Sequence, residues 1–126
     1  MSTILVIEDD VMTLQVIERI LGNLLPKYEL ALFELPEKAL EWFEINYDKC
    51  CLIISDYKMP VLNGKALMLK LNAIKKVHSI MISAYVNLDM NEGILEKKVC
   101  NALLSKPISK YFLEQTINLI KQGEIL

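Results

Sequence analysis

The feature that most constrains the fold is a regular alternation between short apolar runs and longer segments with helical periodicity. Runs rich in β-branched and other apolar residues predict five strands, at residues 3–7, 28–33, 51–55, 80–83 and 102–105. Apolar residues three or four apart, bounded by Pro, Gly and Ser, predict five helices, at residues 11–25, 36–47, 64–76, 87–97 and from Ser109 onwards. Such alternation predicts parallel βαβ units and a doubly wound α/β sheet, and it leaves the order of the strands open.

Two of the predicted elements indicate how the chain would bury its apolar residues. The third strand reads CLIIS, which is typical of a strand covered by helices on both faces. The last helix, with Ser109 as its N-cap, is expected to bury Phe112, Leu113, Ile117 and Ile120. With 126 residues, the chain is expected to form one domain.

Composition argues against several classes of function. The chain carries 14 basic and 16 acidic residues, so it lacks the surplus of cations with which proteins bind nucleic acids. Its mean hydropathy is +0.31, but no apolar run approaches the roughly 18 residues needed to span a bilayer. No signal peptide is visible before the first strand. We therefore expect a cytoplasmic protein that binds neither membranes nor nucleic acids.

The cysteines and the single histidine argue against zinc and disulfide chemistry. Cys50, Cys51 and Cys100 include an adjacent pair and no Cys-x-x-Cys spacing. His78 is the only histidine and follows two lysines and a valine, which is a poor setting for a Ser-His-Asp triad. The cysteines are therefore expected to be small, reduced, buried side chains.

Polar side chains follow four of the five predicted strands. In a parallel sheet such residues meet at one rim, near the point where the strand order reverses. Carboxylates gathered there would repel one another unless a hard cation such as Mg²⁺ (or Mn²⁺) joined them. A lysine and a hydroxyl beside that cation would form a cradle for a phosphoryl group. The residues are Glu8, Asp9 and Asp10 after the first strand, Asp56 after the third, Ser83 after the fourth and Lys106-Pro107 after the fifth.

Five segments together resemble the receiver domain of two-component response regulators, the CheY-like superfamily. They are residues 4–10 (ILVIEDD), 53–60 (IISDYKMP), 63–64 (NG), 81–85 (MISAY) and 104–108 (LSKPI). The resemblance covers essentially the whole chain, in order. It implies a flavodoxin-like (βα)5 three-layer sandwich, with a parallel five-stranded sheet of order 2-1-3-4-5.

The resemblance also implies a set of metal ligands. Asp9 matches a residue that binds Mg²⁺ directly, and Glu8 matches a partner that acts through water. Asp56 and the backbone carbonyl of Lys58 complete the implied set. Asp10 is an additional acid outside the matched pair. The side chain of Lys58 is left to pair with Glu8, with an incoming phosphate or with solvent.

The remaining matched residues imply a phosphoryl-transfer site. Asp56 matches the phosphoacceptor, Lys106 the lysine that pairs with it and Ser83 the switch hydroxyl. Pro107 follows the lysine, in a bond that this family usually holds cis. The implied phosphodonor is a sensor histidine kinase or a phosphotransfer protein. The resemblance accordingly implies that the chain is not an enzyme, beyond its own phosphorylation and slow dephosphorylation.

The chain departs from the family pattern in the residues that relay the signal. Leu103 stands where the family has an aromatic switch residue, and Tyr85 is a candidate replacement. The implied output face comprises the fourth helix, the fifth strand and the fifth helix, and a phosphorylation-dependent homodimer is one use of it. Its candidate residues are Lys97, Lys98, Leu103, Lys110 and Tyr111.

Three other functions are compatible with parts of this pattern. One is a receiver that acts as a protein-interaction module without phosphorylation. Another is an aspartate-nucleophile phosphatase, but that chemistry needs Asp-x-Asp and Lys58 occupies the third position. A flavin carrier would need a Ser/Thr-rich loop where Glu8, Asp9 and Asp10 lie. We expect residues 1–126 to be a single receiver domain without an output domain, and whether it is free-standing or a fragment stays open.

Overall fold

The computed structural model describes residues 2–59, 63–84 and 99–122. The predicted helix at residues 87–97 lies outside these ranges, so α4 below denotes the C-terminal helix. Along the described chain the elements are β1 Thr3–Ile7, α1 Val11–Leu24, β2 Glu29–Phe33, α2 Pro36–Asn46, a 3-10 turn Tyr47–Lys49, β3 Cys50–Asp56, α3 Gly64–Ile74, β4 His78–Ser83, β5 Ala102–Ser105 and α4 Lys110–Lys121.

The five strands form one parallel sheet in the order β2-β1-β3-β4-β5. This confirms the flavodoxin-like order 2-1-3-4-5 and places the reversal of strand order between β1 and β3. The register aligns the carboxyl ends, because Ile7 lies opposite Ser55 and Ser83 opposite Ser105. The residues that follow these positions therefore share one rim of the sheet.

The sheet separates two apolar clusters, one on each face. On one face Leu5 and Ile53 pack with Phe43 of α2 and Leu67 of α3. On the other face the alternate residues of the same strands pack against α1 and α4, as Ile54 illustrates. All five residues of β1 are buried. The prediction that the third strand is covered on both faces is therefore confirmed.

Helix α4 begins where Ser109 caps it, but it buries a different stripe from the one predicted. The Ser109 hydroxyl accepts a hydrogen bond from the backbone N–H of Phe112 at 3.3 Å. Leu113, Ile117 and Ile120 are buried as predicted. The prediction that Phe112 is buried is wrong, because its side chain is 60 % exposed. Phe112 lies about 100° around the helix from Leu113, which turns it away from the sheet. It packs edge-to-face on Tyr111 instead, with ring centroids 5.4 Å apart.

Candidate functional site

Three carboxylates converge at the rim where the carboxyl ends of β1 and β3 meet. Oxygen atoms of Glu8, Asp9 and Asp56 all lie within 4.8 Å of one another. Asp56 is the last residue of β3, and Glu8 and Asp9 directly follow β1. Because these two strands are neighbours in the sheet, the topology alone brings the acids together.

Lys106 reaches across the rim to two of these acids. Its Nζ lies 2.9 Å from Oε1 of Glu8 and donates a hydrogen bond of 3.2 Å to Oδ2 of Asp56. The backbone fixes its position, because the N–H of Lys106 donates to the carbonyl of Ser83 at 2.8 Å, and the Lys106–Pro107 peptide bond is cis. The lysine therefore extends from the end of β5 over β4 to β3 and β1.

Glu8 is the most perturbed acid of the group. Its side chain is fully buried, and this burial raises its pKa from 4.5 to about 7, against the opposing influence of Lys106 and of the Asp10 N–H. Oε2 accepts that N–H at 3.1 Å, whereas Oε1 makes no well-aligned hydrogen bond with the described residues. Oε1 therefore contacts the Lys106 ammonium but retains the capacity to accept a hydrogen bond, for example from a metal-bound water.

The charges of the group leave a surplus of negative charge. Burial raises the pKa of Asp56, although Lys106 opposes the shift. Burial also lowers the pKa of Lys106, but its two carboxylate partners outweigh that influence and the pKa rises overall. One ammonium thus faces two buried carboxylates and the exposed Asp9. This set of oxygens, with one acid open to solvent, fits Mg²⁺, which prefers one or two carboxylates together with water.

Asp10 performs a different task from its two acidic neighbours. Its side chain caps α1, where Oδ2 accepts hydrogen bonds from the N–H of Thr13 at 3.2 Å and from the Thr13 hydroxyl at 2.5 Å. These bonds hold the pKa of Asp10 below its usual value. The structure thus separates Asp10 from the metal-compatible group of Glu8, Asp9 and Asp56.

Gly64 packs closely against the backbone of Asp56 and Tyr57 at the end of β3. Its N–H donates to the carbonyl of Tyr57 at 2.6 Å, and Tyr57 is buried with its own N–H bonded to Ile82. A Cβ atom at Gly64 would overlap the carbonyl oxygen of Asp56 and would lie 2.8 Å from Cα of Tyr57. The Asn-Gly pair was visible in the sequence, but this close approach was not, because it depends on the packing of α3 against β3.

The other predicted site residues lie at several places. Ser83 is fully buried at the end of β4. Lys58 is exposed, and its Nζ lies 5.7 Å from the centre of the Tyr57 ring. Leu103 is partly buried against the cluster that contains Met81, while Lys110 and Tyr111 are exposed in the first turn of α4. Tyr85, Lys97 and Lys98 lie outside the described residues.

Comparison with known proteins assigns this chain to one family. The family model of the response regulator receiver domain matches residues 4–118. The chain belongs to this family. The receiver domain is also similar to solved structures. A response regulator receiver domain protein from Clostridium thermocellum is 25 % identical and superposes with a TM-score of 0.83 over 100 % of both chains.

Two further relatives extend the comparison. A CheY-like receiver domain protein from Methanospirillum hungatei is 22 % identical, with a TM-score of 0.82 over 98 % of this chain and 96 % of that one. A putative two-component response regulator of Arabidopsis thaliana, ARR21, is 38 % identical over 61 residues, or 48 % of this receiver domain. The match spans only 10 % of that protein's length. No helix of the described part of the chain is long and apolar enough to cross a bilayer.

Proposed function

We propose that this receiver domain accepts a phosphoryl group on Asp56 in a His-Asp phosphorelay and changes conformation as a result. The observation that carries the proposal is the position of the Lys106 ammonium, 2.9 Å from Glu8 and 3.2 Å from Asp56, beside acids that converge within 4.8 Å. This arrangement combines a nucleophilic carboxylate, a cation site and a fixed positive charge at one point.

The proposed metal ligands are Glu8, Asp9, Asp56 and the backbone carbonyl of Lys58. A bound Mg²⁺ would supply positive charge that lets the phosphoryl oxygens approach these acids. Lys106 lies closer to Glu8 than to Asp56, at 2.9 Å against 3.2 Å, so Glu8 is proposed to accept a hydrogen bond from a metal-bound water rather than to bind the ion directly. The proposed site is open to solvent at Asp9, whose side chain is exposed.

In the proposed reaction an oxygen of Asp56 attacks the phosphorus of a phosphohistidine in the donor protein. The P–N bond breaks as the new P–O bond forms, and the electron pair returns to the imidazole of the donor. Lys106 stabilises the charge on the phosphoryl oxygens, since its ammonium already contacts Oδ2 of Asp56. Water later hydrolyses the acyl phosphate, so no substrate is turned over beyond this cycle.

The switch is proposed to use Ser83, whose hydroxyl donates to a phosphoryl oxygen and draws the end of β4 towards it. Phosphorylation adds roughly 1.5 to 2 negative charges and new acceptor oxygens at this point. Leu103 has no polar tip, so any response at β5 runs through apolar packing against Met81 rather than through an aromatic hydroxyl. The output face is proposed to include Tyr111 and Lys110 of α4.

The donor is proposed to be a histidine kinase or phosphotransfer protein that docks beside α1. Met12 and Val16 are exposed on α1, and with Lys106, Pro107 and Ile108 they line one groove. Because Lys106 is both a wall of this groove and a partner of Asp56, a protein bound there reaches the acceptor. The proposal also holds that residues 1–126 are one receiver domain acting in the cytoplasm.

Phosphorylation with a small-molecule donor tests the proposal. Incubation with acetyl phosphate and Mg²⁺ should add one phosphoryl group to the intact chain, and Asp56→Asn should abolish the addition. Asp48→Asn is the matched control, because Asp48 is an exposed acid in the 3-10 turn and should leave phosphorylation unchanged. Beryllofluoride with Mg²⁺ should shift the backbone resonances of Ser83. A chain that takes up neither group would instead be a phosphorylation-independent interaction module.

A further inference from the structure

A second concave site lies at the opposite end of the sheet from Asp56. It is a cavity of about 270 Å³ between the amino ends of β1, β3 and β4 and the carboxyl ends of α1 and α4. Leu52, on its wall, comes four residues before Asp56 along β3, which separates the two by about 13 Å. The proposed phosphoryl chemistry uses no residue of this cavity.

The walls of the cavity are aliphatic and come from four different elements. They are Ile4, Leu25, Leu52, Ile117 and Ile120. An engineered apolar cavity of about 150 Å³ accommodates benzene, so this one has room for a ring and a short chain. Ligand sites are typically apolar cavities with a few convergent polar groups.

Each polar side chain that lines the cavity can donate a hydrogen bond. Lys121, in the last turn of α4, contributes an ammonium, and Tyr28 and His78 contribute a hydroxyl and an imidazole. The Cys51 thiol donates to the carbonyl of Thr3 at 3.5 Å, and burial raises its pKa, so it stays neutral. Within residues 2–59, 63–84 and 99–122, no acidic side chain lines the cavity.

These features favour one chemical class of ligand. The backbone carbonyls at the carboxyl ends of α1 and α4 carry a partial negative charge, about half an elementary charge per helix, which opposes an anion. Lys121 carries a full positive charge in the same place and complements one. We propose that the cavity binds a small amphipathic carboxylate, with its apolar body among the aliphatic walls and its carboxylate group at Lys121.

Three probes that share one apolar body and differ in the head group test this assignment. They are 3-phenylpropionate, 3-phenylpropan-1-ol and 3-phenylpropylamine. Titration of the ¹⁵N-labelled chain should shift the amide resonances of Ile4, Cys51 and Ile117 with the carboxylate. Its affinity should exceed that of the amine by about tenfold or more, the effect of one favourable charge contact. Asp56→Asn should bind equally well, because Asp56 lies outside the cavity.

Two substitutions then connect binding to the cavity. Lys121→Gln should weaken the carboxylate about tenfold and leave the alcohol unchanged, and Cys51→Leu should fill the space and abolish binding of both. Lys121 is exposed, so its replacement preserves the fold and keeps the test decisive even if Cys51→Leu does not fold. Lys70→Gln, an exposed lysine of α3 on the other face of the sheet, is the matched control.

The proposal is overturned by any of the following titration results. These are no binding at millimolar carboxylate, equal or tighter binding of the amine, resonance shifts confined to other regions, or no effect of Lys121→Gln. Resonances of the cavity that change with protein concentration alone would assign it to a second copy of the chain and would likewise contradict the proposal.

Discussion

The ammonium of Lys106 lies 2.9 Å from Oε1 of Glu8, which joins the end of β5 to the end of β1. Two strands, β4 and β3, separate these elements in the sheet. The same ammonium contacts Asp56 at 3.2 Å on the way. One long side chain therefore neutralises part of the charge at the reversal point of the sheet.

Removing the ammonium should destabilise the metal-free protein. In Lys106→Met, Glu8 and Asp56 would face each other without a cation, and uptake of a proton by Glu8 would limit the penalty. We expect the free energy of unfolding at pH 7 to fall by about 1–3 kcal/mol, measured by urea denaturation in EDTA. Lys110→Met, an exposed lysine without a carboxylate partner among the described contacts, should change it by less than about 0.5 kcal/mol. Equal stability of the two variants would contradict the importance of this ion pair.

Stability of the metal-free protein should decrease as the pH rises from about 4.5 to about 7. Burial raises the pKa of Glu8 from 4.5 to about 7, so the folded protein holds a proton that the unfolded chain has released. The contribution amounts to at most about 3 kcal/mol across this range. Denaturation in EDTA at several pH values should show it.

Two variants assign the pH dependence to its source. Glu8→Gln should remove most of the decline, because the amide does not titrate. Glu44→Gln, an exposed acid on α2, should leave the decline in place. Asp56 contributes in the same direction, since burial raises its pKa as well, so a residual slope in Glu8→Gln is expected. An unchanged slope would show that folding does not raise the pKa of Glu8.

Substitutions of the two neighbouring acids after β1, Asp9 and Asp10, should have different effects, one on metal binding and the other on the stability of α1. Asp9→Asn should lower the affinity for Mg²⁺ about tenfold or more, with little effect on folding, because Asp9 is exposed at the acidic rim. Asp10→Ala should cost about 0.5–2 kcal/mol of stability through loss of the α1 cap, without a comparable effect on Mg²⁺. Calorimetric titration and urea denaturation measure the two quantities. A loss of stability in Asp9→Asn and a loss of Mg²⁺ affinity in Asp10→Ala would contradict the roles assigned to the two residues.

Two glycines should respond oppositely to replacement by alanine. Gly64→Ala should destabilise the fold by about 1–3 kcal/mol, because the new methyl group overlaps the backbone of Asp56 and Tyr57. Gly22→Ala, within α1, meets nothing within 4 Å and should stabilise the protein by about 0.5–1 kcal/mol. Thermal and urea denaturation give both values. A tolerated Gly64→Ala would mean that Gly64 and the backbone of Asp56 and Tyr57 can move apart at little cost in stability.

The bounds of several elements differed from prediction for local reasons. Strand β4 begins at His78 rather than at residue 80, because its first two residues pair with β3 despite being polar. Helix α3 ends at Ile74 rather than at residue 76, where Lys75 adopts an extended conformation. Phe112 shows a limit of prediction from periodicity. It is apolar and adjacent to the buried Leu113, but its side chain is exposed to solvent. Periodicity identifies an apolar face more reliably than it assigns each residue to that face.

The sequence by itself determined the alternating elements, the parallel sheet and the polar residues at its carboxyl rim. It did so because strand and helix periods are local properties, and because parallel strands must end at the same edge. Strand order came only from the resemblance to the receiver family. Tertiary structure alone decided the burial of Glu8, its contact with Lys106 and the close approach of Gly64 to β3. Burial and charge pairing depend on contacts between residues that are far apart in the sequence, and a local sequence pattern does not show which of them lie close together in space.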